Sequence, residues 1–335
     1  MSRFIRGIVT NASFFGVLLI GVLIFGALLQ YLYRDRARNL VHLHYDIGSF
    51  STRLSLPSLP LPPVLSTDLL AYYRHLGQSI FTVVDVETTG YRPPTSRVIE
   101  VSVLQASLAQ GILHQQTHLL NPEVPVPPAI TRLTGITQAM VNAAPRSSEI
   151  WRSYLPWLNT GILTAHNLAF DYRFLQAEFN FVDVAFYRPE ADRLCTVLLS
   201  RLLLPELPSR SLPNLVQHFG FNVGRSHRAE ADTLACWLLT EHLLSDLTQR
   251  SDESLLNLFR QQWISLKTAA TLLQVSRHQA QKQLQTAGVF PRLGGRYRTP
   301  LYQRQAVEAV YWANLYPEED NRPAGEEAAD NRCNS

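Results

Sequence analysis

The chain has 335 residues and a net charge of +3, and 46% of its residues are hydrophobic. That length suits two domains with a buried core, while so small a net charge by itself indicates no class of partner. The three cysteines, Cys195, Cys236 and Cys333, lack the paired spacings of a zinc site, which excludes a cysteine zinc finger and favours free thiols in a reducing compartment.

The amino-terminal end is apolar and is bounded by basic residues. Residues 7–33 contain no charged side chain, and Arg34, Arg36 and Arg38 follow the tyrosines at their end. About 20 apolar helical residues cross a bilayer, and an aromatic and then basic flank is typical of a retained anchor. Residues 1–38 therefore predict a membrane anchor with basic flanks, in preference to a cleaved signal peptide or a buried soluble helix.

The next segments predict a linker and then an α/β domain. Residues 39–65 form the linker, because the four prolines between positions 56 and 63 exclude a helix or a central strand. Residues 66–250 form the domain, with strands predicted over 80–86, 98–104, 111–120 and 161–165. Helices are predicted over 171–179, 193–203, 211–219 and 229–247. The first strand is apolar on both faces, which indicates a mixed sheet flanked by helices.

Acidic side chains stand at the ends of two of these strands. Asp85 and Glu87 are two residues apart on the first strand, so both point to one face of the sheet. Asp171 follows the fourth strand and opens the next helix. Carboxylates that lie close together repel unless a cation stands between them, and hard oxygen ligands select Mg²⁺ or Mn²⁺. These residues therefore predict a metal site.

A histidine and a further aspartate form a third candidate group. His227 and Asp232 are five residues apart, so on one continuous helix they would point about 140° from each other. If His227 lies in a loop and the helix begins near Ala229, both side chains face one pocket. A histidine in that position is able to deprotonate water near neutral pH.

Three segments resemble the motifs of the DEDDh family of 3′–5′ exonucleases, and among them the epsilon-type proofreading exonucleases of DNA polymerase III: FTVVDVETTG, HNLAFDYRFL and SHRAEADT. The resemblance implies an RNase H-like fold, a general base at His227, and two Mg²⁺ or Mn²⁺ ions held by Asp85, Glu87, Asp171 and Asp232. The sister class has a tyrosine four residues before the last aspartate, where this chain has Arg228.

The same resemblance implies a binding pocket for the terminal nucleotide. By the same resemblance Thr88 and Thr89, which follow the first acidic pair, would line that pocket. Phe170 either stacks on a base or belongs to the core, and both interpretations stay open.

Residues 260–316 predict a second domain. Ser265 and Ser276 each precede a helical segment, Gly294 and Gly295 mark a hairpin, and residues 303–315 form a last helix. This order resembles a helix-turn-helix of the excisionase type with a small wing, so we expect a winged helix-turn-helix-like domain.

The charge of this second domain favours nucleic acid as its partner. No acidic residue lies between Ser254 and Val307, whereas eight basic residues do, and such a one-sign stretch is typical of a phosphate-binding surface. The candidate DNA-binding residues on the second helix and the wing are Arg277, His278, Gln281, Lys282, Arg296 and Arg298. The alternative is a basic domain that binds protein.

Together these features predict a membrane-anchored, Mg²⁺-dependent 3′–5′ exonuclease that releases nucleoside 5′-monophosphates from single-stranded DNA ends. The intracellular location of such substrates favours a cytoplasmic nuclease portion. An RNA-trimming exoribonuclease on the same site, and a non-catalytic membrane-tethered DNA-binding regulator, are the alternatives. Residues 317–335 are acidic and predict a disordered tail. The sequence identifies no polymerase or repair partner.

Overall fold

The computed structural model describes residues 65–294 and 298–316. The predicted membrane segment, most of the linker, the acidic tail and Arg296 lie outside the described residues. Within residues 65–294 and 298–316, none of the helices is long and apolar enough to cross a membrane. The described chain divides into two compact units, residues 67–255 and residues 256–316, with residues 65 and 66 belonging to the second.

The first unit is built on a mixed five-stranded sheet of order β3-β2-β1-β4-β5. Its strands are β1 (Ile80–Thr88), β2 (Val98–Ser107), β3 (Gly111–Leu119), β4 (Ile162–Ala165) and β5 (Arg193–Cys195). Strand β1 pairs antiparallel with β2 and parallel with β4. The carboxyl ends of β1 and β4 therefore meet at one edge of the sheet.

Helices cover the sheet. They are α1 (Ser66–Leu76), α2 (Pro128–Thr134), α3 (Gln138–Asn142), α4 (Ser147–Leu158), α5 (Leu168–Asn180), α6 (Thr196–Leu203), α7 (Leu212–Phe219) and α8 (Ala229–Gln249). Helices α4 and α5 pack on one face of the sheet, and α8 packs on β1 and β2 from the other. A mixed sheet flanked by helices is the arrangement that the sequence predicts.

The alternation of β1 explains how its polar residues come to lie beside α8. Phe81 is buried, and its ring centroid lies 5.8 Å from that of Trp237 on α8. Since alternate residues of a strand share a face, Asp85 and Glu87 point to the same side as Phe81. Val84 and Val86 point the other way, into the core formed with α4 and α5.

One glycine allows the chain before β4 to approach the start of β1 closely. Gly161, immediately before β4, has φ +61°, and a Cβ atom there would collide with the carbonyl group of Ile80. A left-handed φ and this close approach both exclude other residues.

The prediction of one helix over 193–203 is wrong at its beginning. Residues Arg193–Cys195 are strand β5, which pairs in parallel with β4, and the helix begins at Thr196. The apolar spacing of Leu194, Val197 and Leu198 fits a helix, but hydrogen bonding to a neighbouring strand overrides that local preference.

The second unit consists of α9 (Asp252–Arg260, shared with the end of the first unit), β6 (Trp263–Ser265), α10 (Leu266–Leu272), α11 (Arg277–Thr286), β7 (Arg292–Gly294), β8 (Thr299–Gln303) and α12 (Arg304–Leu315). Its three-stranded sheet has the order β6-β8-β7. Strands β7 and β8 form the predicted hairpin. Ser265 and Ser276 cap α10 and α11 as expected, whereas the sequence reasoning did not predict α9.

Candidate active site

Two of the predicted site residues project from the central strand. Asp85 and Glu87 lie near the carboxyl end of β1, and both are half-buried while Val84 and Val86 between and beside them are buried. The strand continues through Thr88, so its pairing with β2 fixes the backbone from which both carboxylates project.

Asp171 reaches the same place from α5. It stands in the first turn of that helix, which begins at Leu168 rather than at the predicted residue 171. Its side chain is 3% exposed, and its Oδ1 accepts a hydrogen bond from the backbone N–H of Val86 at 3.3 Å. Val86 lies between Asp85 and Glu87, so this bond joins the third carboxylate directly to the acidic strand.

His227 and Asp232 lie as the sequence reasoning expects. His227 is in the loop before α8, with φ +62°, and Asp232 is in the first turn of that helix. The backbone N–H of His227 donates to Asp232 Oδ2 at 3.0 Å. Potential ligand atoms of Glu87, His227 and Asp232 lie within 4.8 Å of one another. These three residues are thus close enough to bind one ion.

Burial, and to a lesser degree mutual repulsion, disfavours the ionised forms of the acidic residues in this site. Burial, and then repulsion by the neighbouring carboxylates, raises the pKa of Asp85. Burial raises the pKa of Glu87 from 4.5 to about 8 and the pKa of Asp171 from 3.8 to about 8. Burial also raises the pKa of Asp232, and the N–H of His227 opposes the rise. A divalent cation would offset the cost of ionising these carboxyl groups, so together they form a candidate metal site.

The sequence reasoning missed an ion pair beside this cluster. Glu100 on β2 lies opposite Glu87 in the strand register and is 1% exposed. Its carboxylate binds the guanidinium of Arg228, with Arg228 Nη2 at 2.5 Å from Oε1. The available signal was a single carboxylate within the otherwise apolar run at the start of β2.

The predicted nucleotide-pocket residues are engaged within the protein. Thr88 Oγ1 donates to the carbonyl of Gly90 at 2.6 Å, and Thr89 Oγ1 accepts from the backbone N–H of Arg97 at 2.9 Å. Phe170 is partly buried, packs against the core and contacts Phe174 with ring centroids 4.9 Å apart. Their contribution to substrate binding stays a prediction.

The candidate nucleic-acid-binding residues that the structure describes in the second unit are exposed. Ala280 and Leu284 are the buried residues of α11, whereas Arg277, His278, Gln281 and Lys282 are exposed. Arg298, with φ +48°, is exposed after the hairpin turn. The structure describes nothing at Arg296. Arg304, by contrast, is 5% exposed and bonds Gln262, so not every basic residue here is available to a ligand.

The mixed sheet flanked by helices, with an acidic cluster near the end of its central strand and a histidine beside it, is consistent with the RNase H-like fold that the sequence resemblance implies. Comparison with known proteins agrees: the profile of the Exonuclease family matches residues 82–240. Residues 82–240 are therefore similar to an exonuclease domain.

Two relatives illustrate the similarity. The chain is 32% identical over 154 residues to the PolC-type DNA polymerase III of Oceanobacillus iheyensis, covering 46% of this chain and 11% of that protein. It is 31% identical over 150 residues to a DNA polymerase III subunit epsilon-like protein of Rhodobacter capsulatus, covering 44% of this chain and 21% of that protein. The chain thus spans less than a quarter of the length of these relatives.

Solved structures show a weaker likeness. The nuclease domain of 3′hExo, a DEDDh family member bound to rAMP, has 19% identity and a TM-score of 0.42, covering 50% of this chain and 92% of that one. Exonuclease X in complex with 5′ overhanging duplex DNA has 22% identity and a TM-score of 0.39, and the match covers 53% of this chain and 98% of that one. At this level neither structure bears on substrate or mechanism.

Proposed function

We propose that this protein is a divalent-metal-dependent 3′–5′ exonuclease that removes nucleoside 5′-monophosphates from DNA ends. The observation that carries the proposal is the convergence of Asp85, Glu87, Asp171 and Asp232 with His227 at the carboxyl end of β1. The match of residues 82–240 to the Exonuclease family supports it.

The residues fit the two metal ions that such chemistry requires. Among the described residues, the cluster has four carboxyl groups of raised pKa and only Arg228 nearby to offset their charge at Glu87. Oxygen ligands of this kind suit Mg²⁺ or Mn²⁺. When bound, the metals would lower the pKa of a water molecule and stabilise the negative charge that develops on the leaving 3′ oxygen.

The protein's own groups have separable tasks in this reaction. The four carboxylates hold the cations and keep the phosphodiester in position. His227, in a loop beside Glu87 and Asp232, accepts the proton of the attacking water as general base. The bond from the His227 N–H to Asp232 keeps that loop against the acidic residues.

An assay of product and sugar preference tests this proposal. The full-length protein is incubated with DNA and RNA of one sequence, each labelled in the last nucleotide, with Mg²⁺ or with EDTA. We expect labelled nucleoside 5′-monophosphate from DNA in Mg²⁺ only, and none from Asp85→Ala. Equal release by Asp85→Ala would reject the proposed site, and preferential release from RNA would favour the exoribonuclease alternative.

We propose a second function for residues 260–316, which is to bind duplex DNA through α11. The supporting observation is that Arg277 and Lys282 are exposed on this helix and make no ion pair with any described residue. Helices α10 and α11 join through Gln274, which has φ +59°, and the β7–β8 hairpin follows as a wing. This order is that of helix-turn-helix modules.

The salt dependence of binding tests this second function. In EDTA, the double change Arg277→Ala with Lys282→Ala should weaken duplex binding and reduce the slope of log K against log salt by about 1.8, for two lost phosphate contacts. Arg260→Ala, an exposed basic residue on α9, serves as the control and should change the slope less. Unchanged binding by the double variant would favour the protein-binding alternative.

A further inference from the structure

The buried carboxylate of Glu100 connects the sheet to the histidine loop. Both of its oxygens are occupied: Arg228 Nε donates to Oε1 at 3.2 Å and to Oε2 at 3.1 Å, and Arg228 Nη2 donates to Oε1 at 2.5 Å. The backbone N–H of Ala229 donates to Oε2 at 2.8 Å. Because β2 is a paired, buried strand, Glu100 attaches Arg228 and Ala229 to a rigid part of the fold.

His227 immediately precedes the two residues that Glu100 binds, Arg228 and Ala229. A histidine with φ +62° is in the left-handed region, which is unfavourable for a residue with a Cβ atom. Such a conformation persists only where surrounding contacts hold it. Two contacts do so: Asp232 binds the N–H of His227, and Glu100 binds the two residues that follow.

The first turn of helix α8 also depends on Glu100 for a hydrogen-bond acceptor. Arg228 is its N-cap residue, makes no side-chain capping bond and has no acceptor atom with which to make one. Glu100 supplies the missing acceptor to Ala229, the first residue of the helix. The start of α8, and with it the approach of His227 to Glu87, is therefore set from β2.

A second ion pair in the same unit has the same chemistry but another location. Glu178 on α5 is also 1% exposed and binds Arg97 through two hydrogen bonds of 2.9 Å. It also accepts the backbone N–H of Val98 at 3.0 Å. This pair joins α5 to the start of β2 and makes no contact with the histidine loop, so it provides a matched control.

We propose that Glu100 is a positioning residue of the exonuclease reaction, which holds His227 beside Glu87 and Asp232 through Arg228 and Ala229. This proposal rests on the proposed function, in which His227 is the general base.

A double-mutant cycle tests it on the full-length protein with labelled single-stranded DNA and saturating Mg²⁺. Glu100→Gln should lower kcat about 10- to 100-fold, as is usual for a residue that orients a catalytic group, and change KM by less than about threefold. In a His227→Ala background the same change should lower kcat by less than about twofold, because the residue that Glu100 positions is gone.

Two further variants distinguish a loss of positioning from a folding defect. Arg228→Ala changes a side chain that is 39% exposed and should reproduce the pattern of Glu100→Gln if that variant does not fold. Glu178→Gln removes an equally buried charge and should leave kcat within about twofold of wild type. Circular dichroism and thermal melting verify that each variant is folded.

The outcomes distinguish a failure of the positioning role of Glu100 from a failure of the proposed exonuclease function. Equal losses of kcat in both backgrounds, or wild-type kcat in Glu100→Gln and Arg228→Ala, would overturn the positioning role while leaving the exonuclease intact. An inactive wild type, or a His227→Ala variant as active as wild type, would instead overturn the proposed function and this role with it.

Discussion

At the scale of single residues, the carboxyl groups of the site lower the stability of the metal-free protein and also form its candidate metal site. Asp85 and Asp171 hold their carboxyl groups in surroundings that raise the pKa of each, so the ionised forms cost folding free energy until a cation binds. Raised carboxyl pKa values of this kind are typical of functional sites.

Neutralising one of these carboxylates should therefore separate stability from activity. Asp85→Asn should raise the melting temperature of the metal-free protein at pH 8, because an amide has no ionised form for burial and the neighbouring carboxylates to disfavour. It should lower kcat at least about a thousandfold, since several kcal/mol of metal-borne stabilisation are lost. Melting in EDTA and steady-state kinetics check the two effects.

The control for this prediction is Glu149→Gln, which removes an exposed carboxylate on α4 and should change neither quantity. A destabilised but active Asp85→Asn protein would contradict the account of the cluster.

At the scale of elements, sequence patterns predict most of the strands and helices and fail where tertiary contacts decide. The apolar run of β1 and the serines before α10 and α11 act locally, so the sequence is sufficient to predict those elements. Strand β5 exists only because β4 pairs with it. Glu100 was missed for a related reason, since its partners Arg228 and Ala229 are 128 and 129 residues away along the chain.

The capping box of α11 offers a test at this scale. Ser276 accepts a bond from the N–H of Gln279 at 3.2 Å, and the Gln279 side chain accepts one from the N–H of Ser276 at 3.1 Å. Ser276→Ala should cost about 1 kcal/mol and so speed amide exchange in α11 about fivefold. Gln285→Ala, on the exposed face of the same helix, should leave exchange nearly unchanged. Equal exchange in the two variants would show that the cap does not stabilise α11.

At the scale of the whole molecule, the acidic site should make stability depend on pH and on metal. The folded pKa values of Glu87 and Asp171 lie near 8 and their ordinary values at 4.5 and 3.8, so the folded protein binds more protons than the unfolded chain between about pH 4 and 8. Stability without metal should therefore fall as pH rises through this window. The melting temperature should drop about 2–4 °C for each kcal/mol lost in a domain of this size.

Added Mg²⁺ should reverse that loss, because an ion that binds only the folded state stabilises it. The rise in melting temperature should be larger at pH 8 than at pH 5, where protons compete for the carboxylates. Thermal melting at the two pH values, with Mg²⁺ or EDTA, makes the comparison. A Mg²⁺ effect that is equal at both would contradict the assignment of these groups to the metal site.

We propose that residues 7–33 anchor the nuclease at a membrane and that a DNA-binding module follows the nuclease in the sequence. The membrane segment rests on the sequence alone. Fractionation of cells that produce the full chain, compared with a variant lacking residues 1–38, tests it: only the full chain should sediment with membranes.

The most direct test of the central claim is the pattern of products from DNA labelled at its 5′ end. With full-length protein and Mg²⁺, the oligonucleotide should shorten from its 3′ end in steps of one nucleotide. EDTA and Asp85→Asn should each abolish the ladder. Internal cuts, shortening from the 5′ end, or an unchanged ladder in EDTA would contradict a metal-dependent 3′–5′ exonuclease built on these residues.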